Sequence, residues 1–423
     1  MANSFFQKIS NLFSGKKKNK NSVRQALKTF YKNLFLESLD DRVTPANASW
    51  NGSELVLWFN GDAADSNITI SNGGGSNLTV KTSGTAWVDG DPTVVPLTAS
   101  LPTGVTLAGT TLSANMADNT LASLTNIVVK SNTGARNYYV NFGTGASTLS
   151  LQAPGSILSS NIGIEVNPSV RAATQFQVFF QNWVQTRGNG AININAGSTS
   201  GAAGTAGVSS VVINDNINTT NPGKYSLLTT GSGGITLQAT NSQSFVNLGV
   251  GNTIATTANA GGDIVFQGGT VPASNRGVIL RNTNTVQTAS GGITFQGANS
   301  ATLVDTTAPA GAAVLSSTGG GNITIQGTLD NNVATTSNDL TFSTSGNVTV
   351  SGAVGNANGR FGNLIIQKPT ISSLNNLTFS SFINADRLAL NNAAAAIRGN
   401  ISIVGNQDYL NSTASTPAID LQT

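Results

Sequence analysis

Four segments of the chain repeat one short phrase, and this phrase decides the fold. The segments are Gly233-Gly234-Ile235-Thr236-Leu237-Gln238, Gly261-Gly262-Asp263-Ile264-Val265-Phe266-Gln267-Gly268, Gly291-Gly292-Ile293-Thr294-Phe295-Gln296-Gly297 and Gly320-Gly321-Asn322-Ile323-Thr324-Ile325-Gln326-Gly327. The isoleucines that anchor them recur at a nearly constant interval, and they are Ile235, Ile264, Ile293 and Ile323. A repeat of roughly 20 to 50 residues is typical of stacked architectures, in which each unit covers the apolar face of the next.

Within each phrase, apolar and polar residues alternate as in a β-strand. Ile235 and Leu237 point to one face, and Thr236 between them points to the other. The glycine or asparagine before each strand predicts a tight corner with a positive φ. One such strand cannot bury its apolar row alone, so the phrase predicts parallel strands stacked about 4.8 Å apart.

Looser versions of the phrase extend from residue 190 to residue 423. After Ile323 the anchors Val348, Leu364 and Leu377 follow at shorter and unequal intervals. Two explanations fit these intervals: the later repeats are shorter, or some anchors belong to second strands within one repeat. Both explanations predict an all-β protein with a parallel β-helix over 190–423.

Two regions precede these repeats. Residues 49–150 alternate in strand fashion, for example at Leu55–Trp58, with Asn-Gly turns between the strands. We expect them to form a separate β-rich module resembling a sandwich, or the N-terminal cap of the solenoid. Residues 151–189 form an aromatic-rich junction. Its large side chains favour packing in the core over a platform for sugars or partners, and they are Phe176, Phe179, Phe180 and Trp183.

The leader, residues 1–48, is basic. Over positions 1–45 Lys and Arg outnumber Asp and Glu by nine to three, whereas in the remainder of the chain Asp and Glu outnumber Lys and Arg by fifteen to twelve. Apolar residues at three- to five-residue steps predict a short amphipathic helix over about residues 22–38. This helix is either a surface or tail element, or an export or membrane-surface element. Ala46-Asn47-Ala48 has the form of a signal-peptide cleavage site, but Glu37 interrupts the apolar core that such a signal needs.

Composition excludes most kinds of chemistry. The chain has no cysteine and no histidine, which excludes Cys/His zinc sites and Ser-His-Asp or Cys-His nucleophiles. Only 9% of the residues are charged, and residues 46–423 carry no basic stripe of the kind that binds nucleic acid. No apolar stretch approaches the roughly 18 residues of a transmembrane helix. We therefore expect no nucleic-acid partner and no transmembrane helix.

The acidic residues do not form a predicted site. Asp263, Asp305, Asp330 and Asp339 occupy different positions relative to their anchors, whereas glycoside hydrolysis requires two carboxylates about 5 to 9.5 Å apart. Asp62 and Asp65 favour a solvated turn over a calcium loop. The sequence therefore predicts no enzyme, no catalytic, cofactor-binding or metal-binding residues, and no cofactor.

Two stretches resemble known bacterial proteins. Leu36-Glu37-Ser38-Leu39-Asp40-Asp41-Arg42-Val43-Thr44-Pro45-Ala46 resembles the LE-x-L-x-D-R-x-x-P-A segment of large exported planctomycete proteins. The segment Asp339–Gly355, DLTFSTSGNVTVSGAVG, resembles the repeats of filamentous-haemagglutinin-type adhesins. These resemblances imply a right-handed parallel β-helix at the bacterial cell surface or in the extracellular space.

We therefore expect a non-catalytic exported surface protein, adhesin-like or a stalk-like scaffold. Two alternatives are a secreted carbohydrate-binding or carbohydrate-degrading β-helix and a self-associating envelope or matrix component. Its expected partners are surface glycans, other cells, or further copies that contact the solenoid ends. The last residues, Ala418–Thr423, have the pattern of another strand, so we also expect the β-helix to continue beyond them or to be covered by a partner.

Overall fold

A computed structural model describes this chain from residue 46 onward. The described ranges are 46–59, 66–73, 77–83, 86–94, 98–116, 118–131, 138–143, 149–150, 162–166, 175–196, 208–217, 225–239, 244–259, 261–269, 277–281, 283–297, 302–305, 312–331, 338–355, 360–367, 376–381, 383–391, 394–398, 401–403, 407–410 and 419–422. The chain divides into two compact units, Met1–Val43 and Thr44–Thr423, and all of the described residues belong to the second. The predicted helix over about residues 22–38 lies outside the described residues, as does nearly all of the planctomycete-like segment.

The regular secondary structure of the described residues is almost entirely β-strand, with a 3-10 helix at Asn119–Leu121. The prediction of an all-β protein is confirmed. The strands are β1 Ala46–Trp50, β2 Glu54–Phe59, β3 Ser66–Asn72, β4 Asn77–Thr82, β5 Trp87–Asp89, β6 Val105–Ala108, β7 Thr111–Asn115, β8 Asn126–Ser131, β9 Tyr138–Phe142, β10 Leu149–Ser150, β11 Gly163–Val166, β12 Gln175–Phe180, β13 Val184–Thr186, β14 Ile192–Asn195, β15 Val208–Ile213, β16 Leu227–Thr229, β17 Ile235–Gln238, β18 Phe245–Leu248, β19 Thr253–Thr256, β20 Ile264–Gln267, β21 Val278–Arg281, β22 Thr285–Thr288, β23 Ile293–Gln296, β24 Thr302–Asp305, β25 Ala312–Ser317, β26 Ile323–Ile325, β27 Leu329–Asn331, β28 Asp339–Thr344, β29 Val348–Val350, β30 Phe361–Gln367, β31 Asn376–Phe379, β32 Ile383–Asn391, β33 Ala394–Arg398, β34 Ile401–Ile403, β35 Gln407–Leu410 and β36 Ile419–Gln422.

These strands form three sheets. Sheet 1 has the order β36-β33-β31-β29-β26-β23-β20-β17-β14-β11-β8-β2-β1-β5. Sheet 2 has the order β10-β13-β16-β19-β22-β25-β28-β30-β32-β34, with β35 also paired to β32. Sheet 3 has the order β27-β24-β21-β18-β15-β12-β9-β3-β4-β7-β6. From β8 to β29 the chain visits sheets 1, 3 and 2 in turn, so that each strand pairs with the one three positions later.

Most of this pairing is parallel. The antiparallel pairs are β1 with β2, β3 with β4, β4 with β7 and β6 with β7, all in the N-terminal part of the described chain. Short turns can join antiparallel strands, whereas parallel neighbours need a longer crossover. The parallel repeats therefore require the long intervals that the sequence shows between their anchors.

The predicted anchors are in register. Ile235 pairs with Ile264, Ile264 with Ile293, and Ile293 with Ile323, all in sheet 1. Val348 continues this row.

The irregular anchors after Val348 belong to two sheets. In sheet 1, Val348 pairs with Leu377, the equivalent position of the next strand in that sheet. Leu364 instead pairs with Leu340 in sheet 2. The second explanation, a further strand within one repeat, therefore holds for Leu364. The first also holds further on, because Leu377 pairs with Ala395 at a shorter interval in sheet 1.

Inward side chains from all three sheets belong to one hydrophobic core. Phe266 and Phe295 occupy neighbouring repeats, and their rings stack with centroids 5.0 Å apart. Full burial of each such side chain contributes about 1.5–3 kcal/mol. The predicted core role is confirmed for Phe176 and Phe180, which are 1% and 0% exposed.

The glycines before the sheet 1 strands are needed for space. Gly320 has a positive φ of 93°, but Gly233, Gly262 and Gly291 do not. The prediction of positive φ at these three corners was wrong. A Cβ on Gly291 would overlap the carbonyl oxygen of Gly262, and a Cβ on Gly233 would overlap that of Gly190. Successive backbones approach too closely there for any side chain.

A row of buried hydroxyl groups lies beside these glycine corners, at the ends of the sheet 2 strands. Its members pair in register from repeat to repeat and are at most 2% exposed. Each donates a hydrogen bond to a glycine carbonyl oxygen, for example Thr229 Oγ1 to Gly233 at 2.7 Å and Thr256 Oγ1 to Gly262 at 3.0 Å. We call this row the hydroxyl ladder, and it consists of Thr186, Thr229, Thr256, Thr288, Ser317 and Thr344.

Replacing one member of the ladder should destabilise the fold. Thr229→Val keeps the shape of the side chain but leaves the Gly233 carbonyl without this donor, so we expect a loss of about 1–3 kcal/mol in the free energy of unfolding. Urea denaturation measures this loss. The control is Thr236→Val on the outward face, which should stay within about 0.5 kcal/mol of the wild type. Equal effects at the two positions would contradict a special role for the ladder.

Candidate functional surfaces

The structure distributes the acidic residues considered as catalytic candidates over all three sheets. Asp263 directly precedes a sheet 1 strand, Asp305 and Asp330 lie in adjacent strands of sheet 3, and Asp339 begins a sheet 2 strand. In the part of the chain that is described, no group of three or more Asp or Glu residues is placed to hold a metal ion. Asp62 and Asp65 lie outside the described residues.

Two of these carboxylates serve the backbone of the next repeat. Asp263 Oδ1 accepts a hydrogen bond from the Gly292 amide at 2.7 Å. Asp339 Oδ1 accepts one from the Asn363 amide at 2.7 Å, and both of its oxygens lie 2.9 Å from Asn363 Nδ2. Asp263 and Asp339 therefore have a structural role, because their hydrogen bonds link successive repeats.

The outward face of sheet 3 combines aromatic and amide side chains. Tyr139, Phe179 and Phe245 are half-buried there, on strands β9, β12 and β18. Beside them Asn141 Nδ2 donates to Asn67 Oδ1 at 2.6 Å, and Gln181 Nε2 donates to Asn141 Oδ1 at 3.0 Å. We call this surface the aromatic–amide face. Its members are Asn67, Tyr139, Gln177, Phe179, Gln181 and Phe245, and the buried Asn141 lies between Asn67 and Gln181.

The geometry of the aromatic–amide face suits an extended polar ligand with apolar patches. Phe179 and Phe245 are separated by two strand steps and by two residues along the strand. Strand spacing and rise place their Cα atoms about 12 Å apart. Aromatic rings offer apolar contact area, and the amides donate and accept hydrogen bonds. Of the four aromatic residues named in the predicted junction, Phe179 and Trp183 are half-buried, and Trp183 directly precedes β13.

On the outward face of sheet 1, two neighbouring columns of residues carry no charged side chain, although the exposed Asp263 lies beside them, two residues before Val265. One column pairs in register from β14 to β31, and its members are Asn193, Thr236, Val265, Thr294, Thr324, Thr349 and Thr378. A second column beside it contains Asn195, Gln238, Gln267 and Gln296. In the second column Gln238 Nε2 donates to Gln267 Oε1 at 3.0 Å. We call the two columns together the hydroxyl–amide face.

Ionised groups occur on the earlier strands of sheet 1. On β8, Lys130 Nζ lies 5.6 Å from the centroid of the Trp58 ring. On β11, a Glu165 oxygen accepts a hydrogen bond from Asn126 Nδ2 at 3.2 Å. The hydroxyl–amide face therefore begins where these charged residues end.

The small-x-small triplet of the leader lies inside strand β1. Ala46, Asn47 and Ala48 are at most 4% exposed, and Asn47 Nδ2 donates to the Gly90 carbonyl at 3.1 Å. The same three residues pair in parallel with β5. Cleavage after Ala48 would remove three of the five residues of β1, so a complete β1 requires a chain that is not cut there.

Sequence reasoning missed the hydroxyl ladder. For four of its members the sequence signal is a Thr three to six residues before the glycine that accepts its hydrogen bond, as in Thr186 and Gly190 or Thr256 and Gly262. In a chain rich in threonine and glycine this spacing also arises by composition. Only the pairing register distinguishes the buried hydroxyls from the outward ones.

Comparisons with known proteins give no match. No family model matches the chain, and neither the curated proteins nor the solved structures contain a significant match. Within the described ranges, no helix is both long and apolar enough to span a bilayer.

Proposed function

We propose that this protein is a non-catalytic, exported bacterial surface protein that acts as a stalk-like or adhesin-like scaffold. The observation that supports it best is the three-strand recurrence from β8 to β29, in which every strand pairs in parallel with its equivalent in the next repeat. A stack of this kind grows in one direction by adding repeats, and each repeat contacts only its neighbours. Such a body provides length and a regular surface.

In this proposal the three sheets are the faces of a right-handed parallel β-helix. The single core shared by all three sheets supports this arrangement. The handedness rests on a general rule, since crossover connections between parallel strands of one sheet are right-handed in about 98% of cases. The repeated segments then form the scaffold, and the variable loops between the strands determine any binding specificity.

Removing one whole repeat should preserve the stack. Deletion of residues 264–292 removes β20, β21 and β22 and allows Ile235 to pair with Ile293 in place of Ile264. We expect a folded β-rich protein by circular dichroism, shorter by about one strand spacing of 4.8 Å. Small-angle scattering measures the length.

The matched control for this deletion removes half a repeat. Deletion of residues 264–277 removes strand β20 but leaves β21 and β22 in place. The chain then no longer visits sheets 1, 3 and 2 in turn. This variant should lose cooperative unfolding, because its strands would face the wrong partners. If both deletion variants fold equally well, or if neither folds, the proposal of a scaffold built from stacked repeats is contradicted.

The exported location rests on the planctomycete-like segment Leu36–Ala46 and on the haemagglutinin-like segment Asp339–Gly355. We expect antibodies against the repeats to label intact bacterial cells in immunogold microscopy, and protease added to intact cells to remove the label. A cytoplasmic protein of the same culture serves as the control. Label that appears only after the cells are opened would refute the surface location.

A second candidate function is carbohydrate binding, which the aromatic–amide face favours. Uncharged sugar hydroxyls match amide donors and acceptors, and the apolar face of a sugar ring packs on aromatic side chains. Phe179 carries this hypothesis, because it points outward whereas its neighbours Phe176 and Phe180 are buried in the core.

Phe179→Ala should therefore lower glycan binding without unfolding the protein. On a glycan array we expect weaker binding of the best ligand, by about 1–3 kcal/mol if the loss is as large as when an aromatic side chain that stacks on a nucleobase is removed. The control is Ile365→Ala, a half-buried apolar residue on the outward face of sheet 2. Unchanged binding in Phe179→Ala, or release of reducing ends from the bound glycan, would refute non-catalytic binding at this face.

A further inference from the structure

The hydroxyl–amide face has the chemistry of a self-complementary surface. We propose that this face is a contact surface for a second copy of this chain, so that neighbouring molecules associate side by side through sheet 1. The inference rests on the proposed scaffold function and adds to it a partner and the surface that meets it. Three properties of the face support it.

The first property is that its side chains can pair with their own kind. A hydroxyl group and an amide group each donate and accept hydrogen bonds, whereas a carboxylate only accepts and an ammonium only donates. The pairing of Gln238 with Gln267 already shows identical side chains bonded across one strand step. The neighbouring column adds hydroxyl groups at half-buried outward positions, namely those of Thr236, Thr294, Thr324, Thr349 and Thr378.

The second property is the absence of charge. Two copies of one surface bring identical side chains together, and like charges placed opposite each other are destabilising. From β14 to β31 neither column of the hydroxyl–amide face contains Asp, Glu, Lys or Arg. Nothing in the two columns therefore opposes the approach of a second copy.

The third property is regularity. Four consecutive strands place a threonine at the same position, with Thr294 paired to Thr324, Thr324 to Thr349, and Thr349 to Thr378. These rows repeat at about 4.8 Å, and the branched Cβ of threonine restricts its rotamers. Because both copies share the same spacing, a contact formed at one strand is repeated at the next.

The size of the face predicts a weak contact. The first column spans about 29 Å along the stack and the second about 14 Å, and each is about 5 Å wide, so each copy would bury about 200 Å². A stable pair buries about 800 Å² per partner. Association should therefore be transient in dilute solution and should persist where many copies are held close together, as on a cell surface.

Disulfide trapping of the full chain tests this proposal, because the chain contains no cysteine of its own. Thr294 lies on the fourth of the seven strands, so a two-fold contact brings it closest to its counterpart. We expect Thr294→Cys to form disulfide-linked dimers about tenfold faster than Thr341→Cys at equal concentration, because the contact raises the local thiol concentration. Thr341 is an equally half-buried threonine on the outward face of sheet 2.

A charge variant provides the second arm. Thr294→Lys should lower the light scattering of concentrated protein towards the monomer value, whereas Thr341→Lys should leave it unchanged. Equal cross-linking of the two cysteine variants, or scattering insensitive to Thr294→Lys, overturns the proposal. A third result would assign the face to a glycan instead. In that case the two cysteine variants cross-link equally, the protein is retained on an insoluble neutral polysaccharide, and Thr294→Lys abolishes this retention. Surface labelling and the whole-repeat deletion are read independently, so they can succeed while this inference fails.

Discussion

The close approach of successive backbone corners is the constraint on which the structure depends. At Gly291 the backbone comes so near to the Gly262 carbonyl that a Cβ would overlap it. Parallel strands must lie about 4.8 Å apart to form their hydrogen bonds, and the corner between sheets has to keep the same spacing. Glycine allows that spacing, and the Thr288 hydroxyl gives the Gly291 carbonyl a donor. Strand register in sheet 1 follows from this arrangement.

The same residue type performs opposite tasks on the two sides of the sheets. Thr229 buries its hydroxyl, which would cost about 1–3 kcal/mol without a hydrogen-bond partner, and the Gly233 carbonyl accepts its bond. Thr236 follows shortly after in the chain, half-buried on the outward face of sheet 1. Threonine suits both positions because its branched Cβ favours strands and its hydroxyl both donates and accepts. The chain can therefore be rich in threonine while its strands keep their pairing register.

Much of the fold could be predicted from sequence because period and alternation are local signals. The spacing of Ile235, Ile264 and Ile293 predicted their pairing, which the structure confirms. Leu364 has the same local pattern but belongs to sheet 2, since only long-range pairing assigns a strand to a sheet. The hydroxyl ladder and the overlap at Gly291 depend on contacts between repeats, which no single phrase contains. The outward position of Phe179 is equally invisible beside Phe176 and Phe180.

The stacking of equivalent residues in the sheets gives a physical reason for the low content of charged residues in this chain. A stacked architecture places the same position of every repeat at the same point of a sheet, so a charged residue in the repeat phrase would form a column of like charges a few ångströms apart. Polar but uncharged side chains avoid this repulsion, and ladders such as Gln238 with Gln267 turn the close spacing into hydrogen bonds. Exceptions such as Asp263 are single members of their columns, and that carboxylate accepts a hydrogen bond from the next repeat. The same rule leaves no column of like charges in the hydroxyl–amide face, and the proposed contact between copies depends on that property.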